Sequence, residues 1–184
     1  MFTVWATSSC WPSNADVDMK HDPIRTSQRL RANRSKPFNP LIGFWRYGAA
    51  ISWRADVVPG PWLSIGRQSK ISSFVTIRSS GGAVSIGAET DVGVSSVIDG
   101  GRYGITIGRD CLISPHCRIV EARTESEGPI RIGDNVWIGA GAAVSNHAFI
   151  GDGVIIAPNS VVHFDIPANA IVQGNPAKVI FIRR

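Results

Sequence analysis

The hydrophobic positions of this chain follow a period that neither an amphipathic helix nor a plain strand possesses. From residue 65 onward an aliphatic residue returns at every sixth position, in sets of three. The sets are Ile65, Ile71, Ile77; Ile86, Val92, Ile98; Ile107, Ile113, Ile119; Ile132, Ile138, Val144; and Ile150, Ile156, Val162. An Ile-Gly pair recurs at 65, 86, 107, 132, 138 and 150. A helix repeats near 3.6 and a strand at 2, so a fixed repeat of six excludes both. Such a repeat marks a solenoid, in which each short unit buries its apolar residue only against its neighbours. Three hexads make one triangular coil with a short strand on each side, which predicts an all-β fold of about five coils.

The interruptions of the count support the triangle. Ile77 to Ile86 and Ile98 to Ile107 are nine apart, and Ile119 to Ile132 is thirteen. All three insertions follow the third hexad of a coil, so they emerge at one corner of the prism. Stacked coils stand about 4.8 Å apart, the spacing of paired strands. Cys111 and Cys117 then occupy the same place in successive hexads, which reads as packing. With Cys10 they form an odd set without a CxxC pair, as expected of reduced thiols in a cytoplasmic protein.

The first third of the chain has a different character. Five of the six tryptophans (Trp5, Trp11, Trp45, Trp53, Trp62) lie there, beside the basic run "RTSQRLRANRSK". Residues 1–62 are therefore read as a cap on the β-helix, followed by the helix proper over 63–169 and a tail over 170–184. Asp22 before Pro23 is a helix start, so residues 23–34 are expected to form a short basic surface helix. Membrane-surface contact through Arg25, Arg29, Arg31 and Arg34 is the alternative. The N-terminus lacks the pattern of a signal peptide, and no window is apolar enough to span a bilayer. A net charge of +5 favours anionic partners such as phosphates. Beyond Tyr103 only Trp137, Phe149, Phe164 and Phe181 are aromatic, with no motif for stacking bases, so nucleic acid is not expected.

Three stretches carry a resemblance. "IGDNVWIGAGAAV", "IAPNSVV" and "FDIPANAIVQGNPAKVI" are similar to the hexapeptide-repeat acyltransferases, nearest the sugar and xenobiotic O-acetyltransferases. The resemblance covers residues 63–182 and implies a left-handed parallel β-helix, a homotrimer, and acetyl-CoA as co-substrate in the groove between subunits. It also implies a histidine that takes the proton of the acceptor hydroxyl, because an alcohol is a poor nucleophile near neutrality. Matched position by position, Trp137 and Ala140 line the groove and Pro158 lies at the corresponding turn one coil on. His163 falls near the cofactor end and Lys178 near the cofactor's phosphates. Asp99 in "VIDGG" matches an acidic residue that binds the sugar acceptor.

The family's commonest position for the base is Ala122 here. "RTESEGP", which follows, holds no histidine. His21 has no motif around it. His116 sits on a different corner from the insertions and is a substrate-side candidate. His147, in "VSNHAF", is the fourth residue of its hexad, as Ala122 is one coil earlier. Stacking in register puts the two about 5 Å apart. His147 is thus the candidate base, with Glu121 as the carboxylate that orients it. A zinc site is not expected, since His116, His147 and His163 are spaced 31 and 16 apart and no two are close in sequence. Two rival readings stand beside the O-acyltransferase: a degenerate scaffold or regulatory subunit, and an N-acetyltransferase acting on an amino-sugar nucleotide.

Overall fold

The computed structural model describes residues 48–121, 128–145 and 148–184. The expected basic helix at 23–34, with its arginines, lies outside them, as do His21, Ala122 and His147. Among the described residues there is no helix, and none therefore that is long and apolar enough to cross a membrane.

The chain winds through short strands coil by coil. The first coil is β1 (Ala50–Ile51), β2 (Asp56–Val57) and β3 (Leu63–Ile65), and the second β4 (Lys70–Ile71), β5 (Thr76–Arg78) and β6 (Val84–Ile86). The third is β7 (Asp91–Val92), β8 (Val97–Asp99) and β9 (Ile105–Ile107). The fourth follows with β10 (Leu112–Ile113), β11 (Arg118–Val120) and β12 (Ile130–Ile132). The fifth is β13 (Trp137–Ile138), β14 (Ala143–Val144) and β15 (Phe149–Ile150). A sixth, partial coil has β16 (Ile155–Ile156) and β17 (Val161–Val162), and a single bridge between Ile150 and Ile166 closes it. The chain ends with β18 (Ala170–Gly174) and β19 (Ala177–Ile182).

Among the described residues, the strands pair in parallel with their equivalents one coil away, giving three sheets, and only β18 and β19 pair antiparallel. This is the parallel solenoid that the hexads predict, with five complete triangular coils, consistent with a left-handed β-helix. The register keeps like on like: Ile71, Val92, Ile113, Ile138, Ile156 and Val172 form one inward column, and Ile77, Ile98, Ile119, Val144 and Val162 another. These residues are buried to within one percent. The first two sheets each give one such aliphatic side chain per coil and the third gives two in four coils, such as Val84 with Ile86 and Ile105 with Ile107, so the core is a stack of similar layers rather than a single packed centre.

Two findings extend the boundaries read from sequence. Strands β1 and β2 lie within residues 1–62, the segment assigned to the cap, and supply Ile51 and Val57 to the core. The step from Val57 to Ile65 is eight residues and contains "PGP", which hid the hexad. Residues 170–184, assigned to a tail, contain a hairpin: β18 continues the first sheet on β16, and a cis bond between Asn175 and Pro176 lies at its turn.

The three corners differ. Two are tight and turn through a left-handed residue in nearly every coil, such as Gln68, Glu89, Asp110 and Asn135 between the third and first sheets. After several of these comes a small buried residue whose side chain bonds a carbonyl of the next coil; Val136, after Asn135, fills the same place with an apolar side chain. Thr90 Oγ1 donates to Gly108 O (2.9 Å), Cys111 Sγ to Gly133 O (3.2 Å) and Cys117 Sγ to Gly139 O (3.2 Å). The cysteines thus take the place that Ser69, Thr90 and Ser96 fill in other coils, as their hexad position implied. Burial pushes both thiols above their ordinary range. The third corner, between the second and third sheets, carries all the long connections.

Candidate active site

The insertion corner is built by Asp99 and Glu121. Asp99 ends β8 and accepts from Arg78 Nε at 2.8 Å and from the backbone N–H of Gly101 at 3.1 Å. One coil on, Glu121 reaches back. Its Oε2 accepts from Arg102 N (2.5 Å) and Tyr103 N (3.4 Å), holding the turn over residues 100–104. A Cβ at Gly101, whose φ is +49°, would lie 1.7 Å from that same oxygen, so only glycine admits the carboxylate. The acid assigned to the acceptor and the acid assigned to orient a base are therefore both engaged in shaping the corner. Arg78 was not singled out from the sequence. A signal was present: Arg78 and Asp99 each follow the inward isoleucine of the second sheet, one coil apart, and so must meet.

Ala122 and His147 lie outside the described residues. Ile119 pairs with Val144, and that register is the one with which the chain leaves β11 and β14. His163 is exposed on the same corner one coil further, its ring edge-on to Phe164 at 5.8 Å between centroids. Phe164 packs against the core and anchors the connection.

A second group occupies the tight corner between the first and second sheets. Ala140 and Pro158 stand exposed in one column with Pro115, joined by Gly141 N to Pro115 O (3.0 Å) and Asn159 N to Ala140 O (2.9 Å). Gly139 keeps the column narrow, since a Cβ there would meet Pro158 N at 2.5 Å. Trp137 projects from β13 beside this edge and donates from Nε1 to Ser114 Oγ at 3.2 Å. It continues an apolar strip formed in register by Leu112, Trp137, Ile155, Ile171 and Phe181. His116 lies at this corner too, exposed, in the left-handed conformation at φ +61°.

The predicted residues thus divide. Trp137, Ala140, Pro158 and His116 gather on one corner, and Asp99, Glu121 and His163 on the next, with the second sheet between them. Lys178 is apart from both, exposed on β19 opposite Gln173. Among the described residues no three His, Cys, Asp or Glu side chains gather as a metal site.

Residues 129–163 match the family model for the bacterial transferase hexapeptide (six repeats). A putative lipopolysaccharide biosynthesis O-acetyl transferase of Escherichia coli K12 is 32% identical over 134 residues, 73% of this chain and 67% of that protein. Galactoside O-acetyltransferase of the same organism is 37% identical over 89 residues, covering 42% of each. Across such matches the chain spans about half the length of the curated relatives. Among solved structures, AntD, an N-acyltransferase from Bacillus cereus in complex with dTDP and 3-hydroxybutyryl-CoA, has a TM-score of 0.71 at 19% identity. The match covers 82% of this chain and 92% of that one, a likeness of fold. The coil architecture, the hexads and the extended match to the lipopolysaccharide O-acetyl transferase agree: the chain belongs to the hexapeptide-repeat acyltransferase family.

Proposed function

We propose that this protein transfers an acyl group, acetyl in the first instance, from coenzyme A to a hydroxyl of a sugar or glycan precursor. The observation that carries the reading is the match along 73% of the chain to a lipopolysaccharide O-acetyl transferase. The exposed edge of Trp137, Ala140 and Pro158 supports it, because the small residues of that corner leave a smooth face for the pantetheine arm. Lys178 and the net charge of +5 suit the cofactor's phosphates.

In this reading His147 removes the hydroxyl proton while the oxygen attacks the thioester carbonyl. Collapse of the tetrahedral adduct forms the ester and expels the coenzyme thiolate, which recovers the proton from the imidazolium. His147 is three positions past Val144 as Ala122 is three past Ile119, and this equivalence in sequence supports His147 as the base that Ala122 cannot be. The two half-sites occupy different corners of one prism, which favours a homotrimer in which one chain's Trp137 edge faces its neighbour's insertion corner. The reduced, buried cysteines and the coenzyme suit a cytoplasmic enzyme.

One observation favours a second reading. Ala122 replaces the usual base, and Asp99 and Glu121 are engaged in turn structure, as in a scaffold that no longer reacts. Thiol release from acetyl-CoA in the presence of a panel of sugar and amino-sugar acceptors separates the two. The enzyme releases thiol in an acceptor-dependent way, and His147→Ala lowers kcat by about 10²–10⁴-fold. A scaffold releases none with any acceptor, and a preference for the amines transfers the reading to nitrogen.

A further inference from the structure

The corner that bears Ala140 and Pro158 continues toward the N terminus, and its character changes there. In the third coil Val94 occupies it, and in the first two coils Trp53, Arg54 and Phe74. Trp53 is 66% exposed and Phe74 58%. The Arg54 guanidinium lies 4.6 Å from the centre of the Trp53 ring and 5.9 Å from that of Phe74, so the three make one patch.

Phe74 is also in an unfavourable conformation, with φ at +60°. At the other left-handed positions of this corner stand Ser95, His116, Gly141 and Asn159, small or polar residues that tolerate or suit a turn. A bulky aromatic in that region is an outlier, and its ring gains no burial in return. Folding alone gives no reason for it. Beside the patch lies an open cleft of about 510 Å³ walled by residues 49–52, residues 70–73 and Val94. It offers the ammonium of Lys70, one strand from Asp91, and the hydroxyls of Ser52 and Ser73, which bond each other at 2.9 Å.

We propose that Trp53, Arg54 and Phe74, with the adjoining cleft, form a subsite that stacks an acceptor pyranose bearing a carboxylate or phosphate. This rests on the acyltransferase reading and names its substrate class: an anionic oligosaccharide. Aromatic faces present a broad apolar surface to the C–H face of a sugar ring, while Arg54 and Lys70 supply the charge and the serines the hydrogen bonds. From Phe74 to the Gly141 corner is three coils, about 14 Å at the spacing of paired strands. An oligosaccharide covers that reach and a single sugar does not.

Cellobiouronic acid and neutral cellobiose are a matched pair of probes, read by saturation-transfer difference NMR against the full chain. Coenzyme A is titrated in parallel. The acid disaccharide is expected to bind about tenfold more tightly than the neutral one. Phe74→Gly is expected to lower its affinity by about tenfold while raising Tm, because glycine accepts the corner without strain. Arg54→Gln removes the preference for the acid, and both variants keep coenzyme A binding. Equal binding of the two sugars, absence of binding at tens of millimolar, or an unchanged affinity in Phe74→Gly overturns the subsite. So does dissociation of the oligomer in Phe74→Gly, which would assign the ring to a subunit contact. Loss of coenzyme A binding in the wild type refutes the acyltransferase reading instead, and is seen separately.

Discussion

At the scale of single residues, two features make sharp predictions. Gly101 is required by the Glu121 carboxylate that lies over it. Gly101→Ala displaces that carboxylate from Arg102 and Tyr103 and adds strain at φ +49°, a loss of about 1–3 kcal/mol in denaturant titration. The Arg78–Asp99 pair is weaker, since the arginine side chain is 56% exposed. Replacing Arg78 by methionine is expected to cost less than about 1 kcal/mol. The buried thiols add a pH dependence. Burial raises Cys111 and Cys117 above the unfolded thiol value, so the unfolded chain loses those protons first. Their contribution is complete below the ordinary thiol range, about pH 8.5, and is lost as pH rises toward the folded values. The double variant Cys111→Val with Cys117→Ala removes this component. Urea midpoints of wild type and variant measured from neutral to alkaline pH are expected to converge as pH rises, and parallel curves would refute the assignment.

At the scale of strands and corners, the inward columns were plain in the sequence because each aliphatic residue faces its equivalent one coil away. The same column logic explains why Ile119→Ala is expected to cost about 2–5 kcal/mol: the side chain is fully buried between Ile98 and Val144 and no other residue can refill the layer. The tight corners were legible for the same reason. The insertion corner was not, because connections of unequal length break the count that carried everything else. There the chain is held by side chains reaching between coils, such as Glu121 to the turn at 100–104, and periodicity says nothing of those. The first strands were missed where "PGP" lengthened one step to eight, and the final hairpin because β19 runs antiparallel outside the repeat. Of the candidate site, Trp137, Ala140 and Pro158 came from the family resemblance, and the hexad count put Ala140 and Pro158 on one corner. The partners of Asp99 did not.

At the scale of the whole molecule, the proposed site draws on residues from two different corners of the prism. If neighbouring chains complete each site, two inactive variants restore each other when mixed and refolded together. His147→Ala with Trp137→Ala is such a pair, and random assortment of chains is expected to return about a quarter of wild-type turnover. A site contained within one chain gives no recovery. Acyl transfer from coenzyme A requires an intact groove for the coenzyme. Calorimetric titration with acetyl-CoA, on the wild type and on His147→Ala, tests this most directly. Saturable binding by both at one site per chain is predicted, since the role proposed for His147 is on the acceptor proton and not on the cofactor. Absence of binding at millimolar acetyl-CoA would contradict the enzyme and leave the β-helix as a scaffold.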